Sequence, residues 1–115
     1  MVRVSIEDNF LILNVIGSHK VYALKSQFKI PISHVRGATH DPGAWDMPTG
    51  IRAPGTELPG IFRAGTFYKG GERIFWDVRQ KEKTVVLELQ DEEFARLIIE
   101  VENPDEVVQL IEGAM

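Results

Sequence analysis

The sequence predicts a mainly β protein: a small antiparallel barrel of seven to eight strands, capped by one C-terminal helix. Three observations lead to this fold class. Short segments of alternating apolar and polar residues recur along the chain, turn-forming residues separate them, and one amphipathic helix follows the last of them. Evenly spaced short strands of this kind are typical of barrels and sandwiches. The length predicts a single domain, residues 1–115, which can bury a core without disulfides.

The chain opens with a predicted hairpin. Residues 2–6 alternate between apolar and polar, as in a strand with one buried face. Asp8 and Asn9 supply a two-residue turn, because both residue types tolerate positive φ. The return strand, residues 10–16, is apolar on both faces, so we expect it to be covered on both sides or to lie at an association surface. The residues assigned to that surface are Leu11, Leu13 and Val15.

Less regular segments follow. Ser18 is a candidate cap for a short helical turn that reaches Leu24, with a strand as the alternative. Residues 28–32 alternate again, and Pro31 marks an edge or a bulge because proline cannot donate to a ladder. A weaker strand is expected over residues 35–39.

Residues 41–60 are predicted to form one long loop, since they hold four of the six prolines and four of the ten glycines. A loop of this length inside a compact domain is either functional or poorly ordered. The loop carries four large apolar residues, Trp45, Met47, Ile51 and Leu58, and one hypothesis is a recognition loop in which Trp45 is the aromatic anchor and Arg52 a candidate contact for an anion. The alternative, which the number of apolar side chains favours, is that they fold back over a seam of the barrel.

The second half of the chain predicts four strands and a helix. The strands are expected at residues 61–68, 73–79, 85–89 and 97–101, and Gly70 and Gly71 predict a tight hairpin. Asn103 suits the N-cap position and Pro104 the first helical position, so a helix is expected from there to about residue 113. Its apolar face is predicted to consist of Val107, Leu110, Ile111 and Ala114, with Val108 beside them.

Composition excludes several classes of protein. The chain has no cysteine, which excludes disulfides, thiolate metal sites and cysteine nucleophiles. The net charge is -4, and it is unevenly distributed. Residues 1–87 carry twelve basic and eight acidic side chains, whereas residues 88–115 carry one basic and nine acidic side chains. This acidity argues against nucleic-acid binding. With neither a signal-peptide pattern nor a transmembrane segment in the sequence, a cytoplasmic location is expected.

The order of these elements resembles that of the bacterial pleckstrin-homology-like (PH-like) domain families. The resemblance covers nearly the whole chain and depends on the initial strand pair, on residues 28–35, on the Gly/Pro-rich block at residues 50–67 and on the closing helix. It implies a two-sheet barrel capped by the helix. It implies no single function, because this fold hosts lipid, peptide and self-association roles. Eukaryotic pleckstrin homology domains that bind phosphoinositides typically carry basic residues in the first hairpin loop, whereas the loop here, residues 7–9, holds two acidic residues and no basic one.

No motif of a catalytic or metal site occurs. The carboxylates are scattered over alternating faces, and Asp77 is the best single candidate for a general acid, although an ion pair with Arg79 is the simpler interpretation. His19, His34 and His40 stand at no recognised ligand spacing. We therefore expect no catalytic residues, no metal and no cofactor.

Basic residues offer the remaining candidate site. A first set comprises Lys20, Lys25, Lys29 and Arg36, and a second set around one turn comprises Arg79, Lys81 and Lys83. The first set would bind phosphate groups if it lies on one side of the sheet. The alternative is a solvated charged face.

The sequence thus predicts a non-catalytic PH-like interaction module, whose partner is another protein or a second copy of itself. Peripheral binding of an anionic lipid or a phosphate-bearing ligand is the alternative, although the acidic first hairpin loop disfavours it. An enzyme or a small-ligand carrier that uses the barrel interior is third, because that interior is expected to be filled by side chains.

Overall fold

The computed structural model describes residues 1–16, 27–46, 51–58 and 62–115, and of residues 51–58 it describes the main chain alone. Within these ranges there are nine strands, three short 3-10 helices and one α-helix. The strands are β1 Val2–Glu7, β2 Phe10–Val15, β3 Gln27–Pro31, β4 Val35–His40, β5 Ile51–Leu58, β6 Phe62–Lys69, β7 Glu72–Val78, β8 Thr84–Leu89 and β9 Arg96–Glu100. The 3-10 helices are Ile32–His34, Pro42–Asp46 and Lys81–Lys83, and the α-helix α1 is Pro104–Ala114.

The strands form two sheets. The smaller sheet has the order β1-β2-β3, and the larger has the order β4-β8-β9-β7-β6-β5. Every pairing is antiparallel except that of β7 with β9, which is parallel. The predicted β-rich fold with its C-terminal helix is confirmed. The single closed barrel is wrong, because among the described strands β1 pairs with β2 alone and β5 pairs with β6 alone. The prediction of seven to eight wholly antiparallel strands is also wrong, since nine strands are described and β7 pairs with β9 in parallel.

Both predicted tight turns are confirmed. Asp8 and Asn9 have φ of 48° and 67°, and they connect β1 to β2 so that Glu7 lies opposite Phe10. Gly70 and Gly71, with φ of 60° and 81°, connect β6 to β7 in the same way. Two consecutive residues with positive φ match the right-handed twist of the flanking strands, so these turns fix the register of both hairpins.

The prediction of one long loop over residues 41–60 is wrong. The segment contains the 3-10 helix Pro42–Asp46 and the edge strand β5, which pairs with β6. The register of that pairing shifts between Arg52 and Gly55, and Pro54 lies in the irregular stretch. Since proline has no N–H to donate, an edge strand with a bulge is where a strand tolerates it. The expected turn over residues 18–24 lies outside the described residues.

The main core lies between the two sheets. Leu11 and Leu13 of the smaller sheet are fully buried there, and Phe75, Leu87 and Leu97 meet them from the larger sheet. Burial of many such side chains, each worth about 1.5–3 kcal/mol, is the main source of stability for a domain of this size.

Helix α1 packs against this core chiefly through Ile111, which is fully buried, with Val107 and Val108 half-buried beside it. Leu110, predicted for the same face, is 44% exposed. Asn103 occupies the N-cap position as predicted, but its side chain makes no capping hydrogen bond. Its carbonyl instead accepts the N–H of Val107 at 3.0 Å.

A second group of apolar side chains covers the opposite face of the larger sheet. Alternation along β7 directs Phe75 into the main core and Trp76 to the other side. We call this group the outer cluster; it consists of Ala44, Phe67, Ile74, Trp76, Val78, Val86 and Ile98, with Trp45 packed against it. The outer cluster supports the candidate site described next.

Candidate binding site

Trp45 is held in a fixed position by a short 3-10 helix. The N–H of Asp41 donates to the carbonyl of Thr84 at 2.9 Å, and the N–H of Ala44 donates back to the carbonyl of Asp41 at 3.2 Å. Ala44 is fully buried in the outer cluster. One helical turn therefore connects the main chain at β8 to the outer cluster. Trp45 follows Ala44 directly and lies half-buried at the edge of that cluster.

Arg63 connects Trp45 to Trp76. Its guanidinium carbon lies 4.6 Å from the ring centroid of Trp45 and 4.3 Å from that of Trp76, and the two indoles meet edge to face with centroids 6.4 Å apart. The guanidinium also donates to the Trp45 carbonyl at 3.3 Å. Arg63 is only 7% exposed, and such a desolvated cation–π contact stabilises by roughly 2 kcal/mol or more. The buried Arg63 guanidinium thus holds the Trp45 side chain in place.

The turn between β7 and β8 lies beside Trp45 and is equally well fixed. The N–H of Arg79 donates to Oε1 of the buried Glu100 at 3.0 Å, and the N–H of Lys83 donates to the carbonyl of Gln80 at 3.0 Å. His40 donates from Nε2 to the carbonyl of Glu82 at 2.7 Å. These bonds join the turn to β9 and β4, so its exposed side chains stand on a rigid main chain.

An open pocket of about 300 Å³ lies between Trp45 and this turn. We call it the Trp45 pocket; its lining residues are Trp45, Arg79, Gln80, Lys81 and Glu82. Within the described part of the chain, neither Arg79 nor Lys81 takes part in an ion pair. The pocket therefore combines an indole, an amide, one carboxylate and two cations available to a ligand.

Two further concavities flank the tip of the first hairpin. One, of about 350 Å³, lies beside Glu7 and Lys29, and the other, of about 570 Å³, lies beside Pro31 and Ile32; both are bordered by Asp8 and Phe10. The Lys29 ammonium lies 4.6 Å from the ring centroid of Phe10. Phe10 thus forms a ridge between them.

The predicted association surface on β2 is corrected by the structure. Leu11 and Leu13 are 0% exposed and Val15 is 3% exposed, because all three point into the main core opposite the larger sheet. They are not available at the surface of the monomer. The other face of β2 carries Phe10, which is half-buried, and Ile12.

The remaining predicted residues are dispersed. Trp45 lies in the Trp45 pocket, Met47 lies outside the described residues, and Ile51 and Arg52 are described only as main chain of β5. Of the predicted anion-binding set, Lys20 and Lys25 also lie outside the described residues. Lys29 belongs to the smaller sheet and stacks on Phe10, whereas Arg36 belongs to the larger sheet and donates to Oε1 of Gln90 at 3.1 Å.

The sequence reasoning missed Arg63. It lies 18 residues from Trp45, and it reaches Trp76 because β6 pairs with β7. A cation between two tryptophans distant in sequence gives no local pattern. Arg79 and Lys81 were expected as a basic turn, but their position beside Trp45 depends on the packing of two 3-10 helices.

The candidate metal and catalytic residues have other partners. Nδ1 of His34 lies 2.5 Å from Oε2 of Glu92, and Nδ1 of His40 lies 3.3 Å from Oδ1 of Asp105. Over the described ranges, no three His, Cys, Asp or Glu side chains gather as a metal site. Asp77 is fully buried, and its Oδ2 accepts from the Met1 ammonium at 3.1 Å.

Comparison of the chain with family models, with curated proteins and with solved structures gives no match. Among the helices in the described ranges, none combines the length and the apolar character that crossing a bilayer requires. The interpretation of the site therefore depends on the residues that form it.

Proposed function

We propose that this chain is a non-catalytic PH-like interaction module that binds a protein partner in the Trp45 pocket. One observation carries the proposal: a half-buried indole, stacked on a buried arginine, borders an open pocket whose other walls present two cations. Tryptophan and arginine dominate the binding energy of protein interfaces, and they do so where neighbouring residues hold them in place. The PH-like assignment adds a fold class in which peptide binding is one of the known roles.

The charge of the pocket selects the kind of partner. Arg79 and Lys81 outnumber Glu82, and all three side chains are exposed. An acidic segment gains from both cations, and an aromatic side chain within it has Trp45 as a stacking partner. At about 300 Å³ the pocket is at the lower limit of small-molecule sites, which suits one anchoring side chain better than a cofactor.

Binding of an anionic lipid is the less supported alternative. Lys29 lines the same concavity as Glu7 and Asp8 and is stacked on the Phe10 ring, and Arg36 is hydrogen-bonded to Gln90. Two carboxylates beside a cation oppose the approach of a phosphate group. Flotation with anionic and with neutral vesicles tests it: equal recovery would remove the alternative, and recovery that falls steeply with salt would revive it.

The proposed function is tested by fluorescence polarisation with two labelled peptides. The first peptide is Gly-Glu-Asp-Gly-Phe-Gly, and the second has lysine in place of both acidic residues. We expect the acidic peptide to bind with a Kd below about 1 mM and the lysine peptide not to bind. The double variant Arg79→Glu/Lys81→Glu should lose at least about tenfold in affinity, since two attractions become repulsions.

The matched control is Lys69→Glu, which reverses an exposed charge at the far end of β6. Its affinity for the acidic peptide should equal that of the unmodified chain. Equal binding of both peptides, or an equal loss in the control, would contradict the proposal.

A further inference from the structure

We propose that the partner of the Trp45 pocket is a second copy of this chain, which inserts the tip of its first hairpin. The inference rests on the proposed function, because it names the occupant of the same pocket. The tip comprises Glu7, Asp8, Asn9 and Phe10, and its chemistry complements that of the pocket.

The hairpin tip is exposed and rigid. Glu7, Asp8 and Asn9 are exposed, and Phe10 is half-buried on the ridge between two concavities. The turn is held by the positive φ of Asp8 and Asn9, and the carbonyl of Asn9 accepts the N–H of Ile32 at 2.9 Å. A tip that is already in its bound conformation loses little conformational entropy when it docks.

The charges and aromatic rings of the hairpin tip are complementary to those of the Trp45 pocket. The tip presents two carboxylates next to the Phe10 ring, on which the Lys29 ammonium is stacked. The pocket presents two cations, Arg79 and Lys81, and the Glu82 carboxylate next to an indole. Neither Arg79 nor Lys81 is in an ion pair within the described part of the chain, and the same holds for Glu7 and Asp8. Association therefore creates ion pairs without breaking existing ones, and steers the encounter of two copies.

The contact joins two different surfaces. The tip connects two strands of the smaller sheet, the pocket is formed by a 3-10 helix and a turn adjoining the larger sheet, and the two share no lining residue. Each copy can therefore donate its tip and accept another at the same time. Such a heterologous contact extends head to tail, either as an open chain or as a closed ring.

The test uses two variants that each remove one half of the contact. The tip variant is Glu7→Gln/Asp8→Asn, which keeps side-chain size and a residue that tolerates positive φ at the turn. The pocket variant is Arg79→Gln/Lys81→Gln. Light scattering coupled to size-exclusion chromatography gives the mass of each over loading concentrations from about 10 µM to about 1 mM, the range for weak self-association.

We expect the unmodified chain to rise above its monomer mass of 13.0 kDa with concentration, and each variant alone to remain at that mass. An equimolar mixture of the two variants should contain a species of twice the monomer mass, because one variant keeps its pocket and the other keeps its tip. The control Glu106→Gln/Glu112→Gln, which removes two exposed carboxylates from α1, should associate like the unmodified chain.

Three results would overturn this inference. They are a monomeric unmodified chain at every concentration, association of the tip variant equal to that of the unmodified chain, and loss of association in the α1 control. If the chain is monomeric and the acidic peptide still binds the Trp45 pocket, the proposed function stands and the partner is a different protein. If the peptide also fails to bind, both proposals are wrong.

Discussion

At the scale of single residues, Arg63 makes the contacts that hold Trp45 in position at the Trp45 pocket. It is a buried cation stacked on two indoles, and its hydrogen bond to the Trp45 carbonyl joins the 3-10 helix to β6. The guanidinium is suited to this position, because it lies over both indole rings, which meet edge to face, and still donates to the Trp45 carbonyl. Lysine carries a compact ammonium without a planar group, so it cannot make these contacts with both rings and the carbonyl at once.

We expect Arg63→Lys to lower the free energy of unfolding by about 1 kcal/mol and Arg63→Ala by about 2–3 kcal/mol. The first change replaces the planar group over the two rings by a compact ammonium, and the second also removes the side chain and leaves a void beside the indoles. Urea denaturation followed by tryptophan fluorescence measures both. Arg79→Ala, at an exposed side chain nearby, should change stability by less than about 0.5 kcal/mol. A similar loss in all three variants would show that stacking is not the cause.

A second prediction at this scale concerns Glu100, whose buried carboxylate accepts the Arg79 N–H. Glu100→Ala should lower the free energy of unfolding by about 2 kcal/mol, because the N–H loses a charged acceptor. It should also weaken peptide binding, because the turn that carries Arg79 and Lys81 loses its anchor. The control is Glu88→Ala, which removes an exposed carboxylate 3.1 Å from Arg96 and should cost less than about 1 kcal/mol. Equal stability of the two variants would be the contrary result.

At the scale of elements, sequence predicts what is decided locally. The turns at residues 8–9 and 70–71 followed from residue types that tolerate positive φ, and α1 followed from its periodicity and from Pro104. Strand β5 could not be predicted from its own residues, because a segment rich in glycine and proline becomes a strand only through its pairing with β6. Arg63 and the Trp45 pocket were equally unpredictable, since they depend on contacts between elements.

The first turn gives the element-scale prediction. Asn9→Gly should leave stability unchanged or raise it, because glycine adopts the φ of 67° without strain. Asn9→Ala should lower the free energy of unfolding by about 1–2 kcal/mol, since a Cβ without a compensating polar group disfavours that conformation. Thermal unfolding followed by circular dichroism compares the two. A stability of Asn9→Ala equal to that of Asn9→Gly would contradict the turn geometry.

At the scale of the whole molecule, one strand shows why the association surface was misplaced. Strand β2 is apolar on both faces, and the strand alone does not reveal which face will meet the larger sheet. The structure buries Leu11, Leu13 and Val15 in the main core and places Phe10, which is half-buried, and Ile12, which is 7% exposed, on the other face. Leu13→Asp would therefore unfold the domain, and a loss of association in that variant would say nothing about an interface.

The larger sheet carries the main core on one face and the outer cluster on the other, so the two should unfold together. We expect Leu13→Ala to lower the free energy of unfolding by about 2–5 kcal/mol. Tryptophan fluorescence, which reports on Trp76 in the outer cluster, should shift its urea midpoint as much as far-UV circular dichroism does. Leu110→Ala, at a side chain 44% exposed, should cost less than about 1 kcal/mol. If fluorescence kept the midpoint of the unmodified chain while circular dichroism shifted, the outer cluster and the Trp45 pocket would be stable without the main core.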